Sequence, residues 1–228
     1  MRISRLLLGV AALAACALLA GCRNEKDPAS SLPTEQPAYD GTVVAVGDSL
    51  TAGYGLPEAE AYPVQLENRL RQGGFRWRVI NAGITGETSS GTLSRVDWIL
   101  KLKPDIVILE TGANDGLRGV DPRLTRANID KTVAELRGKG VIVVLAGMRM
   151  LANLGPSYTT EFAAIFPKVA ARHDLILIPF FLAGVAGDQN LNQGDGIHPT
   201  AKGYRIVTDT VYPYLLRAIN TKKTGKGH

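Results

Sequence analysis

The fold is decided by the stretch Thr42-Val43-Val44-Ala45-Val46-Gly47-Asp48-Ser49-Leu50, an apolar run that ends in a glycine and two polar residues. A β-branched run of this length is typical of a buried parallel strand. A glycine at its end allows a sharp turn, so the next side chains emerge at the carboxyl edge of the sheet. Ligands bind at that edge in open α/β sheets, which makes Ser49 a candidate nucleophile. Because Asp and Ser also cap helices, this stretch alone leaves a structural role open.

Four more apolar runs predict four more strands, and segments with helical spacing lie between them. The runs are Arg78-Val79-Ile80-Asn81, Asp105-Ile106-Val107-Ile108-Leu109, Val141-Ile142-Val143-Val144-Leu145 and Leu175-Ile176-Leu177-Ile178-Pro179. The helical stripes are Leu93, Val96 and Leu100; Ile129, Val133 and Leu136; and Phe162, Phe166 and Val169. This alternation predicts an α/β fold, a parallel sheet with helices on both faces.

Local signals predict where some helices begin, end or bend. Asp121-Pro122 is a favourable N-cap and first helical position, and Gly138 and Gly140 indicate the end of that helix. Pro167 and Pro213 fall inside helical patterns, so we expect a kink or a new helix at each.

The chain divides into four predicted segments. Residues 1–21 carry Arg2, Arg5 and an apolar stretch, as a signal peptide does. Leu19-Ala20-Gly21-Cys22 resembles a bacterial lipoprotein box, which predicts lipidation of Cys22. Residues 22–40 predict a flexible linker, residues 41–220 the folded domain, and residues 221–228 a basic disordered tail. The expected location is the bacterial cell envelope, on the periplasmic side of the outer membrane if the cell has one.

The positive net charge does not indicate a nucleic-acid-binding surface. The formal charge is +5, from 26 Lys and Arg against 21 Asp and Glu. Six of the basic residues lie in the leader or near the C-terminus (Arg2, Arg5, Arg217, Lys222, Lys223 and Lys226), which leaves a nearly neutral body. We therefore expect no nucleic-acid partner, and the sequence leaves the oligomeric state open, with a monomer as the expectation.

Three later segments, like Ser49, are expected at the carboxyl edge of the sheet. They are Asn81-Ala82-Gly83, Gly112-Ala113-Asn114-Asp115 and Asp195-Gly196-Ile197-His198-Pro199. The chain has three histidines: His228 is terminal, and His173 is expected at the opposite edge. By elimination, a histidine base for Ser49 is His198, and Asp195 can fix its tautomer.

The same segments offer donors for an oxyanion. These are the amide of Ser49, the amide of Gly83 and the side-chain nitrogen of Asn114. Gly83 and Asn114 are also common in tight turns, so a structural role stays open for both.

Taken together, these motifs resemble those of the GDSL, or SGNH, hydrolase family. The matching residues are Gly47-Asp48-Ser49-Leu50, Gly83, Gly112-Ala113-Asn114-Asp115 and Asp195-Gly196-Ile197-His198-Pro199. Asn114-Asp115-Gly116-Leu117-Arg118-Gly119 and Ile165-Phe166-Pro167-Lys168 are similar to the branch of bacterial acyl-CoA thioesterase I, lysophospholipase L1 and arylesterase. The resemblance implies a flavodoxin-like three-layer sandwich with strand order 2-1-3-4-5 and no cofactor. It also implies the roles given above for Ser49, Gly83, Asn114, Asp195 and His198.

The expected activity is a serine esterase that acts on small ester or lipid substrates, including acyl thioesters and lysophospholipids. Leu50, Leu117, Met148 and Met150 could line an acyl groove or pack beneath the loops. One alternative is deacetylation of cell-envelope polysaccharide, and another is a non-catalytic surface lipoprotein. A flavin site would depend on Thr85-Gly86-Glu87-Thr88-Ser89-Ser90-Gly91-Thr92, which follows the second strand, whereas the phosphate loop of flavodoxin follows the first. A nucleotide P-loop is missing, and too few His and Cys remain for a metal cluster.

Overall fold

The computed structural model describes residues 38–150 and 152–225. The predicted signal peptide, Cys22 and all but the last three residues of the predicted linker lie outside this part of the chain. The predicted tail is described through Gly225, and its first three residues continue the last helix.

Within the described residues, five strands form one parallel sheet. They are β1 (Gly41–Gly47), β2 (Trp77–Gly83), β3 (Ile106–Glu110), β4 (Ile142–Ala146) and β5 (Ile176–Ile178). Their order is β2-β1-β3-β4-β5, as the family resemblance implied, and Gly47 pairs with Gly83 at the end of the first two strands. The carboxyl ends of β1, β2 and β3 therefore lie side by side.

Helices connect the strands and cover both faces of the sheet. Their bounds are α1 (Ser49–Ala52), α2 (Tyr62–Gln72), α3 (Ser89–Ser94), α4 (Val96–Lys101), α5 (Ala113–Leu117), α6 (Pro122–Arg137), α7 (Pro156–Ala163), α8 (Ile165–Arg172) and α9 (Ala201–Lys223), with short 3₁₀ turns at Glu58–Glu60 and Ala152–Leu154. Helices α2 and α9 pack together on one face, and α3, α4, α6 and α8 pack on the other. The three-layer α/β/α sandwich predicted from the sequence is confirmed.

Most local helix signals are confirmed, and two are corrected. Asp121 caps α6 by accepting from the amide of Arg123, and Pro122 is its first residue. The stripe expected as one helix around Leu93 is divided at Arg95 into α3 and α4. Helix α9 continues through Pro213 without a restart.

The hydrophobic core lies on both faces of the sheet, and the central strands are fully shielded from solvent. Residues Val43–Val46 of β1 and Ile106–Leu109 of β3 have no exposed surface. Because both faces of the central strands are covered, these runs are continuously apolar and do not alternate. No helix in residues 38–150 or 152–225 has both the length and the apolar character needed to cross a membrane.

Candidate active site

Ser49 lies where the central strand of the sheet ends. It is the first residue of α1, directly after the turn formed by Gly47 and Asp48, and only 8% of its surface is exposed. The Asp48 carboxylate caps α1 by accepting from the amide of Leu50 at 2.9 Å. The nucleophile candidate is thus held by the strand below it and by the helix that it begins.

His198 and Asp195 complete a line of hydrogen bonds with Ser49. The Nε2 atom of His198 lies 2.8 Å from the Ser49 hydroxyl, and its Nδ1 atom lies 2.7 Å from the Asp195 carboxylate. With the proton on Nδ1, the imidazole donates to Asp195 and presents an acceptor to the hydroxyl. The structure therefore brings together the three residues that the sequence predicted as a triad.

Asp195 is held ionised by its local backbone. One carboxylate oxygen accepts from the amides of Ile197 and His198, at 2.9 and 3.0 Å. Hydrogen bonds from the His198 amide and side chain, and from the Ile197 amide, lower the pKa of Asp195 to about 2. The acceptor for the imidazole is therefore a carboxylate at neutral pH.

Asn114 lies on α5, directly beyond the end of β3. Its side-chain nitrogen donates to the Asp48 carboxylate at 3.0 Å, which leaves the second N–H of the amide for a ligand. The backbone N–H of Ser49 is also suited to an oxyanion, because the first N–H groups of a helix have no acceptor within it. At each of these two predicted donors, one N–H group has no acceptor within the part of the chain that the structure describes.

The amide of Gly83 is already used and does not provide the third donor. It donates to the side-chain oxygen of Asn81 at 3.0 Å. The glycine is needed for packing, because a Cβ atom here would overlap the backbone of Ala52 in α1. The amide of Gly86, in the loop that follows β2, donates to no acceptor among residues 38–150 and 152–225 and is the alternative candidate. In the sequence, Gly86 follows Gly83 by three residues, and this second glycine could have indicated the alternative donor.

Glu110 lies beneath the nucleophile and was not singled out from the sequence. It is the last residue of β3 and has no exposed surface. One of its oxygens accepts from the Asp48 amide at 3.2 Å and from the Thr51 hydroxyl at 2.9 Å. Burial and repulsion from the Asp48 carboxylate raise the pKa of Glu110 well above its ordinary value, which favours the neutral acid. An acid at the end of an otherwise apolar strand is the signal that could have identified it.

An apolar groove is lined in part by the sequence neighbours of Asn114 and His198. Its lining includes Leu117, Met148, Met150 and Ile197, together with Phe180 and Leu182. Three of the four residues predicted to contact an acyl group are therefore at the groove. Leu50 is not among the residues that line the groove, and its side chain packs in the hydrophobic core.

The other described histidine has a structural role. His173 caps the end of α8 and its Nε2 atom lies 2.9 Å from the Asp130 carboxylate, away from Ser49. Among the described residues, no three His, Cys, Asp or Glu side chains are grouped so that they could hold a metal ion.

A model of the GDSL-like lipase/acylhydrolase family matches residues 45–206, which include every segment of the site. The chain belongs to this family. The resemblance seen in the sequence motifs is thereby confirmed, and the expectation of an ester hydrolase is confirmed with it.

Proteins with similar sequences carry the names of ester hydrolases. Esterase TesA of Pseudomonas aeruginosa is 39% identical over 199 residues, which cover 87% of this chain and 96% of the relative. The thioesterase 1/protease 1/lysophospholipase L1 of Escherichia coli K12 is 34% identical over 190 residues, 83% of this chain and 90% of the relative. The match extends over almost the whole of each relative, so the comparison covers complete enzymes.

Solved structures agree with the fold. The crystal structure of TesA has a TM-score of 0.75 at 38% identity and covers 78% of this chain and 99% of that one. The psychrotrophic esterase EstA from Pseudoalteromonas sp., in a structure inhibited by monoethylphosphonate, has a TM-score of 0.76 at 32% identity and covers 79% and 100%. The chain is thus a serine-esterase-type hydrolase of the SGNH fold.

Proposed function

We propose that this hydrolase cleaves acyl esters and thioesters through an acyl-enzyme on Ser49. The observation that carries the proposal is the continuous line of hydrogen bonds from Ser49 through His198 to Asp195, with separations of 2.8 and 2.7 Å. A neutral hydroxyl is a weak nucleophile, and a histidine within hydrogen-bond distance can take its proton during attack.

The reaction proceeds in two halves. The Ser49 oxygen attacks the acyl carbon while its proton moves to Nε2 of His198. His198 then gives that proton to the departing alcohol or thiol as the bond between it and the acyl carbon breaks. In the second half, water attacks the acyl-enzyme, His198 takes its proton, and the Ser49 oxygen leaves and is reprotonated. The Asp195 carboxylate stabilises the imidazolium in both halves.

The negative oxygen of each tetrahedral intermediate is stabilised by fixed N–H groups. The donors are the amides of Ser49 and Gly86 and the side chain of Asn114, which the Asp48 carboxylate holds in place. Loss of one such donor typically costs about 3–4 kcal/mol of transition-state stabilisation. Asp48 therefore contributes to the reaction by orienting Asn114 and not by direct contact with substrate.

The groove favours an aliphatic acyl group over an acetylated sugar. Its lining is dominated by aliphatic, methionine and phenylalanine side chains, and methionine adapts to apolar chains of different shape. We propose that the acyl chain lies along Leu117, Met148 and Met150. The substrate class is small or medium acyl esters, lysophospholipids and acyl thioesters.

Hydrolysis of a p-nitrophenyl acyl ester by Ser49→Ala tests the mechanism. We expect the variant to lose at least about 10⁴-fold in kcat, since knocking out a triad nucleophile can cost roughly 10⁶-fold. Ser90→Ala, which removes an exposed serine of α3, is the matched control and is expected to keep wild-type turnover. Full turnover by Ser49→Ala would exclude the acyl-enzyme.

A series of acyl lengths, offered both as esters and as thioesters, tests the groove. Met150→Ala removes a side chain from the lining and is expected to shift the preferred acyl group to a longer chain. Leu124→Ala removes an apolar side chain that is 54% exposed outside the groove, and no shift is expected. An unchanged profile for Met150→Ala would place the acyl group elsewhere.

We also propose that the enzyme is attached to the cell envelope through a lipid on Cys22. The support is the sequence Leu19-Ala20-Gly21-Cys22 after an apolar leader. Cys22→Ser is expected to move the enzyme from the membrane fraction to the soluble fraction. Unchanged fractionation of the variant would exclude the anchor.

A further inference from the structure

The catalytic histidine lies on residues 192–199, which we call the histidine loop and of which residues 194–197 are exposed. The Asp195 side chain is 39% exposed, and Ile197 is also exposed. Nevertheless, His198 lies at hydrogen-bond distance from a nearly buried serine. Because residues 194–197 are exposed, their own packing does not account for this alignment, and other contacts of the loop must contribute.

One side chain connects the histidine loop to the nucleophile. The side-chain nitrogen of Gln193 donates to the carbonyl of Tyr54 at 2.8 Å and to the carbonyl of Pro199 at 3.0 Å. The backbone N–H of Gln193 donates to the His198 carbonyl at 2.7 Å, and the backbone N–H of Tyr54 donates to the Ser49 carbonyl at 3.1 Å. These bonds form a path from the backbone of the base to the backbone of the nucleophile.

The backbone next to Tyr54 is shaped to admit this glutamine. Gly55 has a φ of +79°, a conformation that strains other residues, and a Cβ atom here would overlap the side-chain oxygen of Gln193. Glycine at position 55 therefore leaves the space that the side-chain amide of Gln193 occupies.

Tyr54 also contacts the catalytic histidine directly. Its ring centroid lies 4.7 Å from that of the His198 imidazole, with the planes inclined by 43°. A bond that fixes the Tyr54 carbonyl thereby restricts a ring that lies against the imidazole.

Asn192, the first residue of the histidine loop, holds the loop on the domain. The buried Asn192 side chain donates to the carbonyls of Val185 and Asp188 at 2.7 and 2.8 Å, which attaches the base of the loop to the domain. Gln193 instead reaches across to the other half of the site. The side chains of Asn192 and Gln193 therefore bind different parts of the domain.

We propose that Gln193 is a positioning residue, which ties the histidine loop to the Tyr54 carbonyl and so fixes the separation between His198 and Ser49. The proposal rests on the proposed function, because it assumes that proton transfer between these two side chains limits turnover. Misplacement of reacting groups by about 1 Å can cost roughly a hundredfold in rate.

Two substitutions at this position separate hydrogen bonding from shape. Gln193→Ala removes the side chain, and Gln193→Glu keeps its shape but has no N–H to donate. We expect both to lower kcat by about tenfold to a hundredfold, with KM for a p-nitrophenyl ester within about twofold of wild type. The urea midpoint of unfolding is expected to be unchanged. The matched control is Gln65→Ala, which removes a side-chain bond to the Glu60 carbonyl in another part of the domain and is expected to keep wild-type kcat.

The space at Gly55 allows a double-mutant cycle. Gly55→Ala should displace Gln193 and lower kcat, whereas the same change in the Gln193→Ala background should lower kcat much less, since nothing remains to be displaced. Strictly additive losses would contradict the proposal.

The proposal is overturned if Gln193→Ala or Gln193→Glu keeps kcat within twofold of wild type. It is also overturned if Gln65→Ala loses as much as Gln193→Ala. Failure of the proposed function gives a different result, because Ser49→Ala would then remain active.

Discussion

The two halves of the active site are built differently. Ser49 follows the central strand, is 8% exposed, and has the fully buried Glu110 beneath it. His198 and Asp195 instead lie on a loop, where Asp195 is 39% exposed and hydrogen bonds to its own backbone neighbours. The nucleophile is therefore positioned by the core, and the base is positioned by hydrogen bonds of an exposed loop. Substitutions beneath the nucleophile, as at Glu110, should mainly affect stability, whereas substitutions at Asp195 should mainly affect activity.

On the exposed half, the largest loss of activity is expected from Asp195→Asn. The asparagine can present an N–H to Nδ1 of His198, which reverses the tautomer that Ser49 requires. We expect kcat to fall by roughly 10²–10⁴-fold, while the free energy of unfolding changes by about 1 kcal/mol or less. Ester hydrolysis and urea denaturation of the same preparation measure both quantities. Retention of more than a tenth of the wild-type kcat would contradict the assignment of Asp195.

On the buried half, Glu110→Ala is expected to reduce stability. It leaves a cavity and removes the acceptor for the Asp48 amide and the Thr51 hydroxyl. The expected cost is about 2–4 kcal/mol in the free energy of unfolding. Glu110→Gln, which resembles the neutral acid in shape and hydrogen bonding, should cost about 1 kcal/mol or less.

The control for Glu110 is Glu135→Ala, on the exposed face of α6, which should change stability by about 0.5 kcal/mol or less. Equal costs for Glu110→Gln and Glu110→Ala would show that the buried side chain is charged and not neutral.

The smallest expected effect is a pH dependence of stability that arises from the buried half. Burial raises the pKa of Asp48 to about 6, from an ordinary value of 3.8. An acid with a raised pKa binds its proton more tightly in the folded protein, so its contribution to stability is lost as the pH rises through the folded value. We expect the Asp48 contribution to fall by about 1 kcal/mol between pH 5 and pH 7.

Urea denaturation of wild type and Asp48→Asn at the two pH values measures this contribution. The variant should show a smaller fall in stability, since it lacks the ionising group, while both proteins keep the same histidines. The opposite shift at Asp195, where the pKa is lowered to about 2, affects stability only below about pH 4 and does not interfere. Equal pH dependence in the two proteins would show that Asp48 does not titrate in this range.

The sequence predicted the sheet well because its strands are buried on both faces. Continuous apolar runs such as Val43–Val46 have few other interpretations, and the motifs at their ends led to Ser49, Asn114 and His198. It predicted helix interruptions less well. Pro213 lies within α9 although proline is unfavourable there, so the packing of α9 on α2 and the sheet outweighs the local penalty.

The errors at the site have a common cause, namely that a motif does not show which groups its neighbours already occupy. Gly83 matched the pattern of an oxyanion donor, but the side chain of Asn81 accepts from its amide. Leu50 follows the nucleophile and was expected at the groove, but the first turn of α1 directs it into the core. Gln193 and Tyr54 were missed because they meet across 139 positions of the chain.

The most direct test of the account is covalent labelling with a p-nitrophenyl alkylphosphonate, followed by mass spectrometry. The Ser49 oxygen should form a bond to phosphorus as p-nitrophenolate leaves, with the proton taken by His198. We predict one adduct per chain, on the peptide that contains Ser49, with no adduct in Ser49→Ala and much slower labelling in His198→Ala. An adduct on another residue, or an unchanged rate in His198→Ala, would contradict the account.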